Sequence, residues 1–256
     1  MLRSPFLIIA AVVLASCSGR AVDLRPATDA AFHRYVQLSE QRMQSDMSSG
    51  SFLWVDGLPG QQSQEVNERL KRGEVVTQRL ETFDHGASIP VPGGLIHHWI
   101  GVVFIPGAGL QRTLALVQNY DEHARIYAPR VLRSKLVRRD GDDFKVSLRL
   151  RDRNVVTVVL DTEYDVHYVR LDPARARSQS YSTRVAEVER VGQRDEYDKS
   201  VGTTTVICGV SIHTGASGSA MVGCTSNWKR SRLPATFPRG WVGWFVPSSQ
   251  ASRKNR

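Results

Sequence analysis

Residues 131–189 read VLRSKLVRRDGDDFKVSLRLRDRNVVTVVLDTEYDVHYVRLDPARARSQSYSTRVAEVE, and their pattern sets the fold class. Phe144, Val146, Leu148 and Leu150 alternate with Lys145, Ser147, Arg149 and Arg151. Successive side chains of an extended chain point to opposite faces, so this alternation predicts a sheet with one buried and one wet face. Turn residues punctuate the run at Asp140-Gly141-Asp142, Asp152-Arg153-Asn154 and Asp172-Pro173. The pattern predicts an antiparallel meander of strands at 131–138, 144–150, 155–161, 164–171 and 178–189.

Upstream, Ile96–Ile105 predicts a further strand ending at Pro106-Gly107. Leu110, Leu114, Leu116 and Val117 then recur with helical spacing. Further back, Phe32, Tyr35, Val36, Leu38 and Met43 predict a helix over 28–48, with Thr28 or Asp29 as its N-cap. Short pieces follow: a strand at 52–55, a turn at Asp56-Gly57 and Pro59-Gly60, a helix at 65–71, a strand at 74–82 and a Gly/Pro-rich loop at 85–94. Helices and antiparallel strands in this order predict an α+β domain.

The first 20 residues, MLRSPFLIIAAVVLASCSGR, place Arg3 ahead of an apolar run at 6–14 and then small residues. The run is too short for a hydrocarbon core of about 30 Å, so it reads as a secretory signal. Leu14-Ala15-Ser16-Cys17 also resembles a bacterial lipobox, which makes Cys17 the lipidation candidate; cleavage near Ala21 is the rival. Either route predicts an exported chain, periplasmic or anchored to the membrane through lipid. The expected organisation is a signal at 1–20, an N-terminal extension at 21–95, a core at 96–198 and a distinct tail at 199–256.

The formal charge of +9 comes from that tail. Eight of the 34 Lys/Arg and none of the 25 Asp/Glu lie beyond Asp198, so residues 1–198 carry 26 basic and 25 acidic groups. A near-neutral body lacks the basic face that a nucleic-acid partner demands.

The stretches HHWIGVVFIPG, LALVQNYDEHARIYAPRVLRSKLVRRDGDDFKVSLRL, VVLDTEYDVHYVRLD and STRVAEVE resemble a bacterial exported branch of the START/Bet v1-like (SRPBCC, polyketide-cyclase-type) proteins. The resemblance covers about residues 28–195. It implies a helix-grip fold, in which an antiparallel sheet curls around a long C-terminal helix and encloses an apolar cavity. It implies a carrier of a hydrophobic, lipid-like ligand rather than an enzyme, with no cofactor. Trp99, Phe104, Tyr120 and Tyr127 are then the candidate cavity residues, since apolar pockets are lined by such side chains. An envelope-associated interaction protein without ligand, and a cyclase- or hydrolase-type enzyme, are the other readings.

The fold so implied needs two more strands and a closing helix after about residue 190. The tail offers no acid, no helical periodicity and a Ser/Gly/Thr-rich start. Read in a frame displaced so that each codon takes the last base of one triplet and two of the next, it permits YLWRLNSYWRF and GVYVELEAISL. Both alternate as strands, and a helix start, TGLGWLVRPFV, follows. Met and Trp have single codons ending in G, which removes the freedom of choice beside them. Met221 then forces Gly, Trp228 before Lys229 forces Glu, Trp241 forces Gly and Trp244 before Phe245 forces Val. All four suit the pattern. The sequence therefore predicts a slip between about Asp198 and Thr203, a helix-grip sheet left incomplete, and a poorly ordered, non-functional tail. In the frame as written, two hydrophobic pieces closed by a Cys208–Cys224 disulfide are the alternative.

Other motifs carry less chemistry. Gly215-Ala216-Ser217-Gly218-Ser219 resembles a serine-protease nucleophile segment, but no upstream His or acid sits in a matching context for a triad. His97 and His98 are neighbours on a strand and point apart, so they form no joint metal site. Asp161, Glu163 and Asp165 alternate along a strand segment and could share a face for acid–base work, but such a set more often marks a solvated turn.

Overall fold

The computed structural model describes residues 26–153, 157–199, 206–215 and 219–230. The signal segment, Cys17 and the final 26 residues, where a closing helix is expected, lie outside the described residues. Helix α1 (Pro26–Ser48) leads to a 3-10 turn (Trp54–Gly57) and α2 (Gly60–Lys71). Strands β1 (Val76–Arg79), β2 (Phe83–Asp84), β3 (Ala87–Ser88) and β4 (Leu95–Ile105) come next. Then α3 (Leu110–Gln118), a 3-10 turn (Tyr120–Glu122) and the single turn α4 (His123–Ile126) precede the meander. The meander is β5 (Val131–Asp140), β6 (Asp143–Arg153), β7 (Thr157–Arg170) and β8 (Arg175–Glu189). The chain continues through β9 (Tyr197–Asp198), β10 (Val206–Thr214) and β11 (Ala220–Arg230).

The molecule is α+β: among the described residues, one large antiparallel sheet with few helices. The sheet runs β1-β4-β11-β10-β8-β7-β6-β5, with β9 on the far half of β8, and it stays open at β1 and β5. Three expectations change. The strands foreseen at 155–161 and 164–171 are one strand, because Thr162-Glu163 holds no turn residue and pairing with β6 is continuous from Thr157 to His167. Residues 52–55 are no strand: Asp56 accepts the Leu53 N–H at 2.7 Å and winds the chain into a 3-10 turn, which tucks Phe52, Leu53 and Val55 inward. Within the loop at 85–94, His85 and Gly86 both adopt positive φ (48° and 82°), the geometry that closes the β2–β3 hairpin.

The tail brings the largest correction. The two strands expected to be missing are formed by the written residues. β10 pairs with β8 from Ile207↔Tyr181 to His213↔Arg175, and β11 pairs with β4 from Ala220↔Ile105 to Arg230↔Leu95. An antiparallel ladder is made of main-chain groups, so any strand-compatible stretch can join it. The register sets Cys208 opposite Ser226 and Cys224 opposite Val210, and Cys208 is a free thiol rather than half of a disulfide.

Two layers cover the sheet. On one face α3 packs Leu110, Leu114 and Val117 onto Val103, Val210, Ile212 and Val222 and onto the inward side chains of β6–β8. On the other face α1, the first 3-10 turn and α2 cover β1, β4, β10 and β11, with Phe32, Leu70, Val55 and Val102 almost fully buried. Phe32, Tyr35 and Val36 anchor α1 against Ile96 of β4, with Ile89, Val91 and Ile207 packed beside them. We expect Phe32→Ala to cost about 3–5 kcal/mol in chemical denaturation, the range for emptying a buried aromatic site; a loss below about 1 kcal/mol would show that α1 is not held by this core.

Candidate functional site

Beneath α3 lies a layer of aromatic side chains supplied by alternate positions of two strands. Phe144 and Val146 of β6 and Tyr164, Val166 and Tyr168 of β7 face the same side, because cross-strand partners share a face: Phe144 pairs with Val166 and Val146 with Tyr164. Tyr120 enters from the turn after α3, its ring 5.8 Å from Phe144, and Phe144 lies 5.1 Å from Tyr168. The chain of rings continues through His123, 4.8 Å from Tyr120 and 5.0 Å from Tyr127.

The layer contains few polar atoms, and most are paired. The Tyr120 and Tyr168 hydroxyls are 2.8 Å apart, and the Tyr168 hydroxyl also reaches the Val117 carbonyl at 3.5 Å. Burial raises both phenols, Tyr168 to about 12 and Tyr120 further, so neither supplies a base at neutral pH. Burial also lowers His123 to about 4, partly offset by contacts with the Leu116 and Val117 main chain. The His123 Nε2 is buried with no hydrogen-bond partner. An apolar wall with one or two oriented polar atoms can hold and orient a hydrophobic molecule.

Of the four aromatics singled out in the sequence, the structure brings Tyr120 and Tyr127 together through His123. Trp99 is half-buried on the same sheet face as Val103, four residues away along β4. Phe104 turns to the opposite face and packs near Leu53, Val55 and Val102. Sequence reading missed Phe144, Tyr164, Tyr168 and His123. The strand residues were present in the alternation, but which strands meet α3 is a matter of topology.

The opposite face carries a second feature. Tyr35 accepts the Thr82 N–H at 2.9 Å and lies 3.0 Å from His98 Nδ1, while Ser39 and Thr82 hydroxyls meet at 2.7 Å. With the Tyr35 hydroxyl donating to Nδ1, the His98 ring proton sits on Nε2, which has no partner. Burial, aided by the charge of Arg42, pushes His98 down to about 3. His98 borders a cavity of about 630 Å³ between α1 and the sheet. Glu40 at its rim accepts Gln179 at 2.7 Å and Tyr181 at 2.6 Å, tying α1 to β8.

The solved structures it resembles include several START-related proteins. They include a STAR-related lipid transfer protein from Xanthomonas axonopodis, 11% identical over 68% of this chain and 95% of that one, with a TM-score of 0.41. The lipid transfer and protein localization domain of human StarD13 is 12% identical over 75% of this chain and 90% of that one, with a TM-score of 0.41. An aromatase/cyclase from Streptomyces, Zhui, is 12% identical over 55% and 72%, with a TM-score of 0.35. No family model and no curated protein matches the sequence.

The remaining sequence motifs resolve into structure. Asp161 is gripped by Arg149 at 2.7 and 2.5 Å, Arg149 also holds Glu196 at 2.6 Å, and Glu163 pairs with Lys145 at 3.7 Å. Those acids fasten β6, β7 and the segment before β9. His97 and His98 lie on opposite faces of β4, and no cluster of three metal-ligating side chains exists among the described residues.

His98 and His123 also set the acid response. Both have native values well below the unfolded one, so the unfolded state takes up protons first as pH falls. Stability is complete above about pH 6.5 and declines from there toward pH 4, by about 2 kcal/mol for each histidine at pH 5. Denaturation at pH 7 and pH 5 should show this loss. In His98→Phe the difference between the two should shrink by about half, and an unchanged difference would remove His98 from the account.

Proposed function

We propose that the gene's intended product is an exported carrier or binding protein for a lipid-like hydrophobic ligand held against the α3 face. The observation that supports this reading is the aromatic layer there: an extended apolar wall from β6, β7 and α3 with His123 Nε2 as an unmatched polar atom. The ligand's remaining cover is the C-terminal segment, which the displaced frame would supply as an amphipathic helix. Residues beyond about 199 are read out of frame in this proposal, and the chain as written is a non-functional version of the carrier. Export follows from the first 20 residues, with anchoring through Cys17 as the membrane link. No reaction is assigned to it.

An interaction protein without a ligand is the alternative. It is favoured by the direct contact of Tyr120 with Tyr168, which closes part of the layer without help from any bound molecule.

Sequencing genomic DNA across codons 190–260 comes first, and a missing or extra base near codon 200 is the expected result. The restored chain, purified from a bacterial host and examined by native mass spectrometry, should carry a lipid that organic solvent removes. A restored chain that is stably folded and empty would support the interaction protein instead. A frame that stands as written would overturn the misreading.

A further inference from the structure

The cavity between α1 and the sheet has a shallow patch in its floor, flanked by Ile207, His98, Ile100, Arg177 and Gln179. On that face β10 presents Ile207, Gly209 and Ser211, and β11 presents Gly223. These lie mid-sheet beneath Met43, Met47, Trp54 and Leu58. Glycine within a strand weakens it and leaves its neighbours nothing to pack on, and is normally explained by a bulge, a bend or a close approach. None applies here. The β10–β11 register is unbroken, and neither glycine has positive φ. A Cβ at Gly209 would meet only the Ser178 carbonyl oxygen, at 3.6 Å, and one at Gly223 would meet Leu53 Cδ2 at 3.5 Å. Both are ordinary contacts, so nothing in the backbone or its surroundings requires glycine.

Codon structure says what the displaced frame puts there. Cysteine codons end in T or C and glycine codons begin with GG, so the triplet spanning Cys208 and Gly209 encodes only tryptophan or arginine. Where Ser211 is encoded by a TCN codon, the triplet spanning Val210 and Ser211 ends in TC and encodes Leu, Ile, Val or Phe. Both positions thus become large in the displaced frame, on the face where the space lies. Leu58, Leu80 and Ile100 on the cavity wall offer an indole apolar contact, while Glu40 and Asp46 stand among the polar residues of the lining.

We propose that this cavity is the imprint of side chains lost to the frame slip, filled in the intended protein by an indole at position 209 and an apolar side chain at 211. It is a packing void and not a second ligand site. This assignment rests on the frame reading proposed above.

The test is Gly209→Trp and Ser211→Leu, singly and together, in the chain as written. Filling part of this space with an apolar ring should raise Tm by about 2–6 °C for Gly209→Trp, while Gly209→Arg should give no such gain. A fall in Tm with Gly209→Trp would overturn the assignment. So would a small molecule that native mass spectrometry finds on the original chain and not on Gly209→Trp, since the space would then be a binding site. If the original chain lacks a cooperative transition, glycine placed at position 209 of the frame-restored chain should lower its Tm by several degrees; no change would overturn the proposal. The DNA sequence judges the frame separately: an intact frame removes the origin assigned here even if Gly209→Trp stabilises, and a restored frame without that gain rejects the cavity assignment alone.

Discussion

The sheet depends on one hairpin. Among the described residues, β4 and its partner β1 reach the meander only through β11 and β10, which span from β4 to β8 by eleven and seven cross-strand pairs. Without that bridge, the layer under α1 and α2 and the layer under α3 would belong to two separate sheets. The hairpin is also where the sequence fits least. These facts are compatible because they concern different chemistry. Ladder hydrogen bonds come from the main chain, which every residue but proline supplies alike. Packing comes from side chains, which must match in volume.

That division explains why the tail's two faces differ. Toward α3, Val210, Ile212, Ala220 and Val222 happen to be apolar, and they are buried against the common core. Toward α1 the same strands offer Gly209, Ser211 and Gly223 between Ile207 and Met221, and a cavity opens over the small residues. A segment with apolar residues on one face alone can complete a ladder. It cannot complete a core on both sides at once, because the strand period of two ties each face to every second residue.

Legibility followed the same line. The strands of the meander, α3 and most of α1 could be read because periodicity is local and strong. The hairpin at His85-Gly86 and the 3-10 turn at Trp54–Gly57 were missed: the first depends on a positive φ at a histidine, the second on an aspartate side chain folding back on Leu53. The candidate site was half legible. Tyr120 and Tyr127 flank α3 in sequence and stay near it in space, whereas Phe104 faces away, since a single strand cannot reveal which of its faces will meet which helix. Phe144 and Tyr168 come from different strands and become neighbours only through pairing.

Among the described residues the sheet ends at two border strands, with Asp121 accepting the Leu136 N–H on one of them, and their composition bears on how copies of the molecule meet. One border, β1, is only four residues long. The other, β5, carries Arg133, Lys135, Arg138 and Arg139 along ten residues, with Asp140 at its end. Two such borders approaching each other would bring like charges to within the strand spacing of about 4.8 Å, well inside the Debye length of about 8 Å at physiological ionic strength. Edge-to-edge polymerisation is therefore opposed by Coulomb repulsion on the long side and by shortness on the other. Added salt weakens the first barrier and leaves the second untouched, so a fibrous or stacked assembly of this chain would have to begin at β5 and at high ionic strength.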